Sequence, residues 1–253
     1  MGQANSHRRY GKKIAGGTLI LLVVIVFAYA GWRLLTPASS AFSSTTGMVQ
    51  LTSSMADTSL PSSSASAFSL VSSLLAGSPP TLGSANASVT IVEFGDYQCP
   101  TCKGWYTTQE ASVIQNLVDV GKAKLVWRDF DYFGPDSVSA SEAAYAAGEQ
   151  GKFWQFHDLL FQNQQSPNSG WASRQNLVKF AEQLGLNMTQ FNQGFDSGKY
   201  DALIYSNHSL GVQAGISETP TFFLIGPNGK VVTIAGGQPE SVFEQAVAQL
   251  TNG

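Results

Sequence analysis

Two cysteines stand in the segment Cys99-Pro100-Thr101-Cys102, directly after a run of β-branched and apolar residues at 89–94. They are the only cysteines of the 253-residue chain. The run predicts a buried strand, and the segment 99–120, which is followed by Gly121, predicts a helix with one apolar face. A second β-rich run at 124–131 follows at once. A strand, a helix and a strand within about 40 residues predict a parallel βαβ unit with both cysteines at its first turn.

A mainly helical stretch separates this unit from a second β-rich region. Residues 137–211 carry several helical patterns, one of them alanine-rich and expected to begin at a capping box of Ser139 and Glu142. Runs at 221–225 and 231–234, joined by a Gly-Pro-Asn-Gly turn, predict a hairpin, and a last helix follows it. The pattern therefore predicts an α/β fold in which a helical insertion separates a βαβ half from a ββα half.

The N-terminal region has the composition of a membrane anchor. Residues 1–13 hold four Lys or Arg residues and precede the apolar segment 14–35, whose uncharged part is nearly long enough to cross a bilayer. Basic residues on this flank predict that 1–13 lie in the cytoplasm and that the rest of the chain lies outside, held by a single span. A cleaved signal peptide ending at Ala28-Tyr29-Ala30 is the alternative, and it exports the same domain.

A tether is expected between the anchor and the folded domain. About half of residues 36–78 are Ser or Thr and only one residue is charged, which is typical of a flexible linker. Phe68, Val71 and Leu75 fall at helical spacing, so we expect the end of this linker to be more ordered. The folded domain is expected to cover 79–253.

The net charge of the part predicted to be exported, which follows Arg33, bears on which partners it can bind. Five of the 14 Lys and Arg residues lie at or before Arg33, which leaves nine against 17 Asp and Glu residues in the rest of the chain. An acidic domain of this kind disfavours nucleic acid as a partner.

The spacing of the cysteines is compatible with three uses. A structural disulfide across so short a loop stabilises a fold by only about 2 kcal/mol on chain-entropy arguments. A structural zinc site needs four ligands, whereas the chain offers two cysteines and three histidines. Redox chemistry fits the position better, because a helix N-terminus stabilises a thiolate at Cys99 and places Cys102 one turn further along. Pro100 suits the first helical turn, where its missing N–H costs nothing.

The runs VTIVEFGDYQCPTCK and GISETPTFFLIG together resemble the DsbA-like branch of the thioredoxin superfamily. The helical insertion between the two halves is also a feature of that branch. The resemblance covers residues 66–253 and implies a thioredoxin-like fold with a helical insertion, which the predicted transmembrane helix and flexible linker precede.

The resemblance also implies roles for individual residues. Cys99 matches the exposed nucleophile, and Cys102 matches the cysteine that resolves the mixed disulfide. Glu93 matches the buried acid that exchanges protons with the resolving cysteine, and burial raises the pKa of such a carboxyl. Pro220 matches the cis-proline that faces the cysteines, and Thr219 would offer main-chain groups to an extended substrate strand.

The dipeptide Pro100-Thr101 departs from the Pro-His of a well-known family member. Threonine adds no positive charge near the thiolate, so we predict a less oxidising pair than the strongest members have, within roughly −120 to −270 mV. Two further residues stand out. His157 lies in an aromatic amphipathic segment and is expected to have a packing role, and Arg128 is a candidate neighbour of the acid Glu93.

The function that the resemblance implies is that of a membrane-tethered thiol-disulfide oxidoreductase acting on reduced exported proteins. It implies no cofactor beyond the Cys99–Cys102 disulfide and no metal, and it suggests a membrane quinone-linked oxidase as recycling partner. A disulfide reductase or isomerase would use the same residues. A copper(I) carrier that binds metal through the two thiolates, or a folding holdase, is the alternative from a different class.

Overall fold

The computed structural model describes residues 64–252, in which helices surround a five-stranded sheet. The helices are α1 Ser64–Leu75, α2 Pro100–Trp105, α3 Ala111–Val113, α4 Pro135–Gly148, α5 Phe153–Asn163, α6 Arg174–Gln183, α7 Met188–Phe195, α8 Asp201–Gln213 and α9 Glu240–Thr251. The strands are β1 Thr81–Leu82, β2 Val89–Gly95, β3 Ala123–Asp129, β4 Thr221–Ile225 and β5 Val231–Ala235. Two π-helical segments, Tyr106–Glu110 and Ile114–Val118, precede and follow α3.

The sheet has the order β1-β3-β2-β4-β5. Strand β2 is parallel to β3 and antiparallel to β4, and all seven of its residues are buried, as expected of an apolar central strand. The predicted βαβ unit and the β4–β5 hairpin are therefore confirmed. Strand β3 ends before the predicted residue 131, because Asp129 pairs with Gly95, the last residue of β2.

Helices α4 to α8 form the predicted helical insertion between β3 and β4. The predicted capping box is wrong, because Ser139 and Glu142 lie inside α4, which begins at Pro135. Proline fixes its own φ at a helical value and favours the first helical position. The preceding Gly134 has a φ of 102°, a left-handed value that only glycine adopts readily, so the chain turns sharply into the helix there.

Three clusters of buried apolar side chains form the core. One lies between the sheet and the helical layer of α3 and α9, and a second lies on the other face, against α1 and α8. The third fills the helical insertion and extends to Cys99, Cys102 and Trp127. The cysteines thus lie where the insertion meets the sheet.

Helix α1 lies within the last part of the predicted linker. The predicted order at this end is confirmed: Leu74 is fully buried and Leu70 and Val71 pack beside it, whereas Phe68 is 75% exposed. Across 64–252 no helix is both long and apolar enough to cross a membrane. The predicted cytoplasmic segment 1–13, the predicted anchor 14–35 and most of the predicted linker lie outside the described residues.

Candidate active site

Cys99 occupies the N-cap position of α2. Its backbone is extended, Pro100 follows as the first helical residue, and the exposed Pro100-Thr101 dipeptide forms the turn between the two free cysteines. The Cys102 main-chain N–H donates to Cys99 Sγ over 3.4 Å. Hydrogen bonding from the Cys102 side chain is the main cause that lowers the pKa of Cys99 from 9.0 to about 6; burial acts against it, and the Thr219 side chain and main-chain N–H groups lower the pKa further. Cys99 is therefore largely a thiolate at neutral pH.

Cys102 has the opposite properties. It is fully buried, and burial, followed by the hydrogen bond to Cys99 and the charge of Cys99, raises its pKa well above 9.0. Cys99 is also buried, with only 4% of its surface exposed, so the expectation that this nucleophile is exposed is wrong. The reason lies in the loop before β4, where the Thr219 carbonyl oxygen lies 3.4 Å from Cys99 Sγ.

The Thr219-Pro220 peptide bond is cis, as predicted. Thr219 is partly exposed and Pro220 is buried, and the Cys99 thiol donates to the Thr219 carbonyl oxygen. A cleft of about 90 Å³ lies beside this loop and is lined mainly by residues 214–218 and by residues of β4 and β5. The loop therefore presents main-chain groups next to the reactive sulfur.

Glu93 lies in the middle of β2, between Trp127 of β3 and Phe222 of β4. Only 2% of its surface is exposed, which confirms the predicted burial. Burial raises its pKa well above 4.5, and the charges of Glu110 and Cys99 raise it further. The carboxyl group is thus held in the protonated form that can donate a proton.

Arg128 does not lie beside this acid. It pairs with Phe94, the residue after Glu93, and successive residues of a strand point to opposite faces. Its guanidinium donates to Asn207 Oδ1 over 2.9 Å and to the carbonyl oxygens of Leu74 and Ala76. Arg128 therefore holds the end of α1 against the domain.

One side chain of the insertion and one of the active-site loop itself hold this loop in place, and the sequence pattern did not identify either. The Gln164 side-chain amide donates to the carbonyl oxygens of Tyr97 at 2.8 Å and Cys99 at 3.0 Å. On the other side of the loop, the Asp96 carboxylate accepts from the main-chain N–H groups of Gln98 and Tyr132, each at 2.7 Å. These bonds satisfy buried main-chain groups and fix the approach to α2.

His157 is buried in an aromatic cluster, as predicted. Its ring centroid lies 4.9 Å from that of Trp127 and 5.0 Å from that of Phe161. Within 64–252, no three His, Cys, Asp or Glu side chains form a group that could hold a metal ion.

Comparison with known proteins supports a common fold. The sequence model of a family described as thioredoxin matches residues 76–238. The crystal structure of oxidised BdbD from Bacillus subtilis is similar, with a TM-score of 0.62 and 25% identity, over 69% of this chain and 94% of that one. An α-DsbA1 structure from Wolbachia pipientis has a TM-score of 0.63 at 21% identity over 72% of this chain and 96% of that one, which shows a shared fold.

Curated relatives differ in length. The chain is 27% identical to disulfide bond formation protein D of Bacillus subtilis over 156 residues, which are 60% of this chain and 69% of that protein. It is 34% identical to Na(+)/H(+) antiporter NhaA 3 of Salinispora tropica over 146 residues, 57% of this chain. That alignment spans only 21% of the antiporter's length.

Proposed function

The chain belongs to the thioredoxin family, and from this membership and the geometry of its two cysteines we propose that it is a protein thiol-disulfide oxidoreductase. One observation carries the proposal: Cys99 has a pKa of about 6, whereas the pKa of its buried neighbour Cys102 is raised. The low pKa makes Cys99 a good nucleophile and a good leaving group. The raised pKa keeps Cys102 protonated until it resolves a mixed disulfide. The similarity to BdbD and to disulfide bond formation protein D supports the same reaction.

The proposed exchange has two steps. A substrate thiolate attacks Cys99 of the oxidised pair, the Cys99–Cys102 bond breaks, and the leaving Cys102 sulfur takes a proton from Glu93. The second substrate thiolate then attacks the substrate sulfur of the mixed disulfide, which forms the substrate disulfide and releases Cys99 as a thiolate. The substrate loses two electrons and the cysteine pair gains them.

The loop at Thr219 and Pro220 is the proposed substrate-binding element. Thr219 offers its main-chain groups next to Cys99, so an extended substrate segment can pair with this loop by main-chain hydrogen bonds. Binding of this kind depends on the substrate's main chain more than on its side chains, so it suits a broad set of reduced proteins as substrates.

The direction of exchange is the finer part of the proposal. We propose an oxidase, with a reductase or an isomerase as the alternative that uses the same residues. Thr101 carries no charge, so the pair should be less oxidising than a Cys-Pro-His-Cys pair.

Redox equilibration of the full-length chain in glutathione buffers tests this proposal. A potential above about −180 mV supports a disulfide donor, whereas one near −270 mV makes the protein a reductant. A chain whose cysteines do not exchange with glutathione contradicts the proposed activity itself.

We further propose that the activity is extracytoplasmic, with the domain held at the membrane by residues 14–35 and recycled by a membrane redox partner. A tether keeps enzyme and partner in one plane and raises their effective concentration. Replacing residues 1–35 with a cleavable export signal should lower disulfide formation in cells, whereas the activity in vitro should be retained. Unchanged activity in cells would remove this role for the tether.

Copper(I) transport is the second candidate, since two thiolates at a helix N-terminus can bind a soft metal ion. Metal titration of the reduced chain separates the two functions. Tight stoichiometric binding together with slow disulfide exchange favours the carrier. Loss of exchange in Cys99→Ser favours the oxidoreductase.

A further inference from the structure

Three buried ionisable side chains form a cluster that is linked to the cysteine pair through the charge of Glu93, and the proposed exchange uses only one of them. Glu93 is 2% exposed, Glu110 is 3% exposed and His157 is 1% exposed. They come from β2, from the helical segment after α2 and from α5. Glu110 Oε1 lies 3.6 Å from His157 Nε2. At this separation the two groups form an ion pair when the imidazole is protonated, and the imidazole nitrogen and the carboxylate can each take up a proton.

Polar atoms of all three side chains lack partners among the residues that the structure describes. Glu93 Oε2, Glu110 Oε2 and His157 Nε2 are shielded from solvent and make no hydrogen bond within 64–252. A buried polar atom without a hydrogen bond is costly, so three in one cluster need a reason. Proton exchange is such a reason, because each of these atoms can carry or accept a proton.

The cluster is electrostatically connected to the cysteines. The charge of Glu110 is the second cause, after burial, that raises the pKa of Glu93, and the charge of Glu93 helps to raise the pKa of Cys102. Two buried carboxylates that influence each other electrostatically are not readily both ionised without a positive partner. His157 is the member of the cluster that can carry a positive charge.

The surroundings of His157 allow its charge to change. Its Nδ1 lies 3.2 Å from the Tyr97 hydroxyl, which can donate to a neutral ring or accept from a protonated one. The other titratable groups near the ring are Tyr106, whose ring centroid is 6.1 Å away, and Asp129, which accepts from the indole N–H of the neighbouring Trp127. The hydrogen bond to Tyr97 is therefore kept in both charge states.

We propose that Glu110 and His157 are positioning residues that share a proton with Glu93 and replace the one that Cys102 takes up. The inference rests on the proposed function. When the disulfide breaks, Cys102 takes the Glu93 proton, and Glu93 regains a proton from the Glu110–His157 pair, which leaves His157 neutral. When the disulfide forms again, Glu93 first passes its proton back to the pair, which recharges His157, and then takes up the proton that Cys102 loses. No electrons pass through the cluster.

Side-chain carboxyl titration by ¹³C NMR of the oxidised full-length chain, in which the Glu110–His157 pair carries its proton, tests this proposal, with the Glu93 signal identified by its loss in Glu93→Gln. Glu110→Gln should lower the midpoint of Glu93, because it removes a neighbouring negative charge. His157→Gln should raise the midpoint, because the charge of Glu110 then lacks its positive partner. The control Glu142→Gln replaces a half-buried glutamate of α4 whose pKa is raised to about 7 by burial and Asp201, and it should leave Glu93 unchanged.

A kinetic readout accompanies the titration. At neutral pH, His157→Gln should slow the Cys102 proton-transfer step by about tenfold or more, with its pH profile displaced in the same direction as the Glu93 midpoint. Equal midpoints in Glu110→Gln and wild type, or shifts of both variants in one direction, would overturn the inference. If His157→Gln fails to fold, Glu110→Gln against Glu142→Gln decides alone. Wild-type chain without exchange activity refutes the proposed function, whereas active wild type without these shifts refutes only the proton-sharing cluster.

Discussion

The low pKa of Cys99 should depend mainly on the side chain of Cys102, and a pair of substitutions can separate this effect from that of the helix N-terminus. Cys102→Ser keeps a hydroxyl that can donate to the thiolate, whereas Cys102→Ala removes the donor and leaves the main-chain N–H groups in place. Since the Cys102 side chain is the largest cause of the lowered pKa, Cys99 should titrate near 6 in the serine variant and higher in the alanine variant.

The size of the difference follows from the strength of the bond. A hydrogen bond to a charged group contributes about 1.5–3 kcal/mol, which corresponds to a pKa difference of about 1 to 2 between the two variants. The rate of alkylation by iodoacetamide, measured from pH 4 to about 10, reports the thiolate fraction of the single remaining cysteine. Equal midpoints in the two variants would refute the argument and assign the low pKa to the helix N-terminus and to Thr219.

The same pKa fixes how stability depends on pH. The folded pKa of Cys99 is depressed to about 6 from 9.0, so its contribution to the reduced protein is complete above pH 9 and is lost as pH falls towards 6. Each unit is worth about 1.4 kcal/mol, so the full effect is about 4 kcal/mol. Cys102 opposes this trend only near pH 9 and above, where its thiol ionises in the unfolded chain but stays protonated in the folded one. Urea unfolding of the reduced form minus that of the oxidised form should therefore show stability rising from pH 6 to 9, and a flat difference would contradict the assignment.

Three further substitutions test other contacts. Glu93→Gln should slow protonation of the leaving Cys102 by about 100-fold in stopped-flow exchange with a dithiol, because the donor is lost, and an unchanged rate would remove Glu93 from the mechanism. Gln164→Ala leaves the Tyr97 and Cys99 carbonyl oxygens without their donor and should cost about 1–3 kcal/mol in urea unfolding, whereas the exposed neighbour Gln165→Ala should cost little. Arg128→Met removes the hydrogen bonds to the end of α1 and should speed amide hydrogen exchange in Ser64–Leu75 far more than in β2; equal protection would refute the anchoring role.

Features set by local patterns could be predicted from the sequence. The apolar run of β2 and the proline after Cys99 each indicate a local conformation, and the structure confirms both. The cis bond at Thr219-Pro220 is implied by the family resemblance instead, and it is confirmed as well. The predicted start of α4 is wrong because two local signals compete there. The Gly134-Pro135 signal prevails over the serine at 139, since the proline and the positive φ of the glycine already begin the helix.

Features set by contacts between distant segments could not be predicted. Gln164 reaches the carbonyl of Cys99 across 65 positions, and nothing in a single sequence separates it from the exposed glutamine beside it. Glu110 has the pattern of a helix surface residue, yet it is buried against His157. Arg128 was associated with Glu93 because both lie on neighbouring strands, and only the pairing register shows that they point to opposite faces.

Helix α5 and the residue after it connect these observations. His157 of α5 faces Glu110 behind the cysteines, while Gln164, directly after α5, holds the main chain of Cys99. Helix α5 and the residue after it therefore contact the main chain of Cys99 and also Glu110, an acid of the proposed proton-sharing cluster. A shift of α5 would change the position of Cys99 and the pKa of Glu93 together. The insertion is for this reason part of the redox site, and its sequence should influence the reactivity of Cys99 and Cys102 as strongly as the dipeptide between them does.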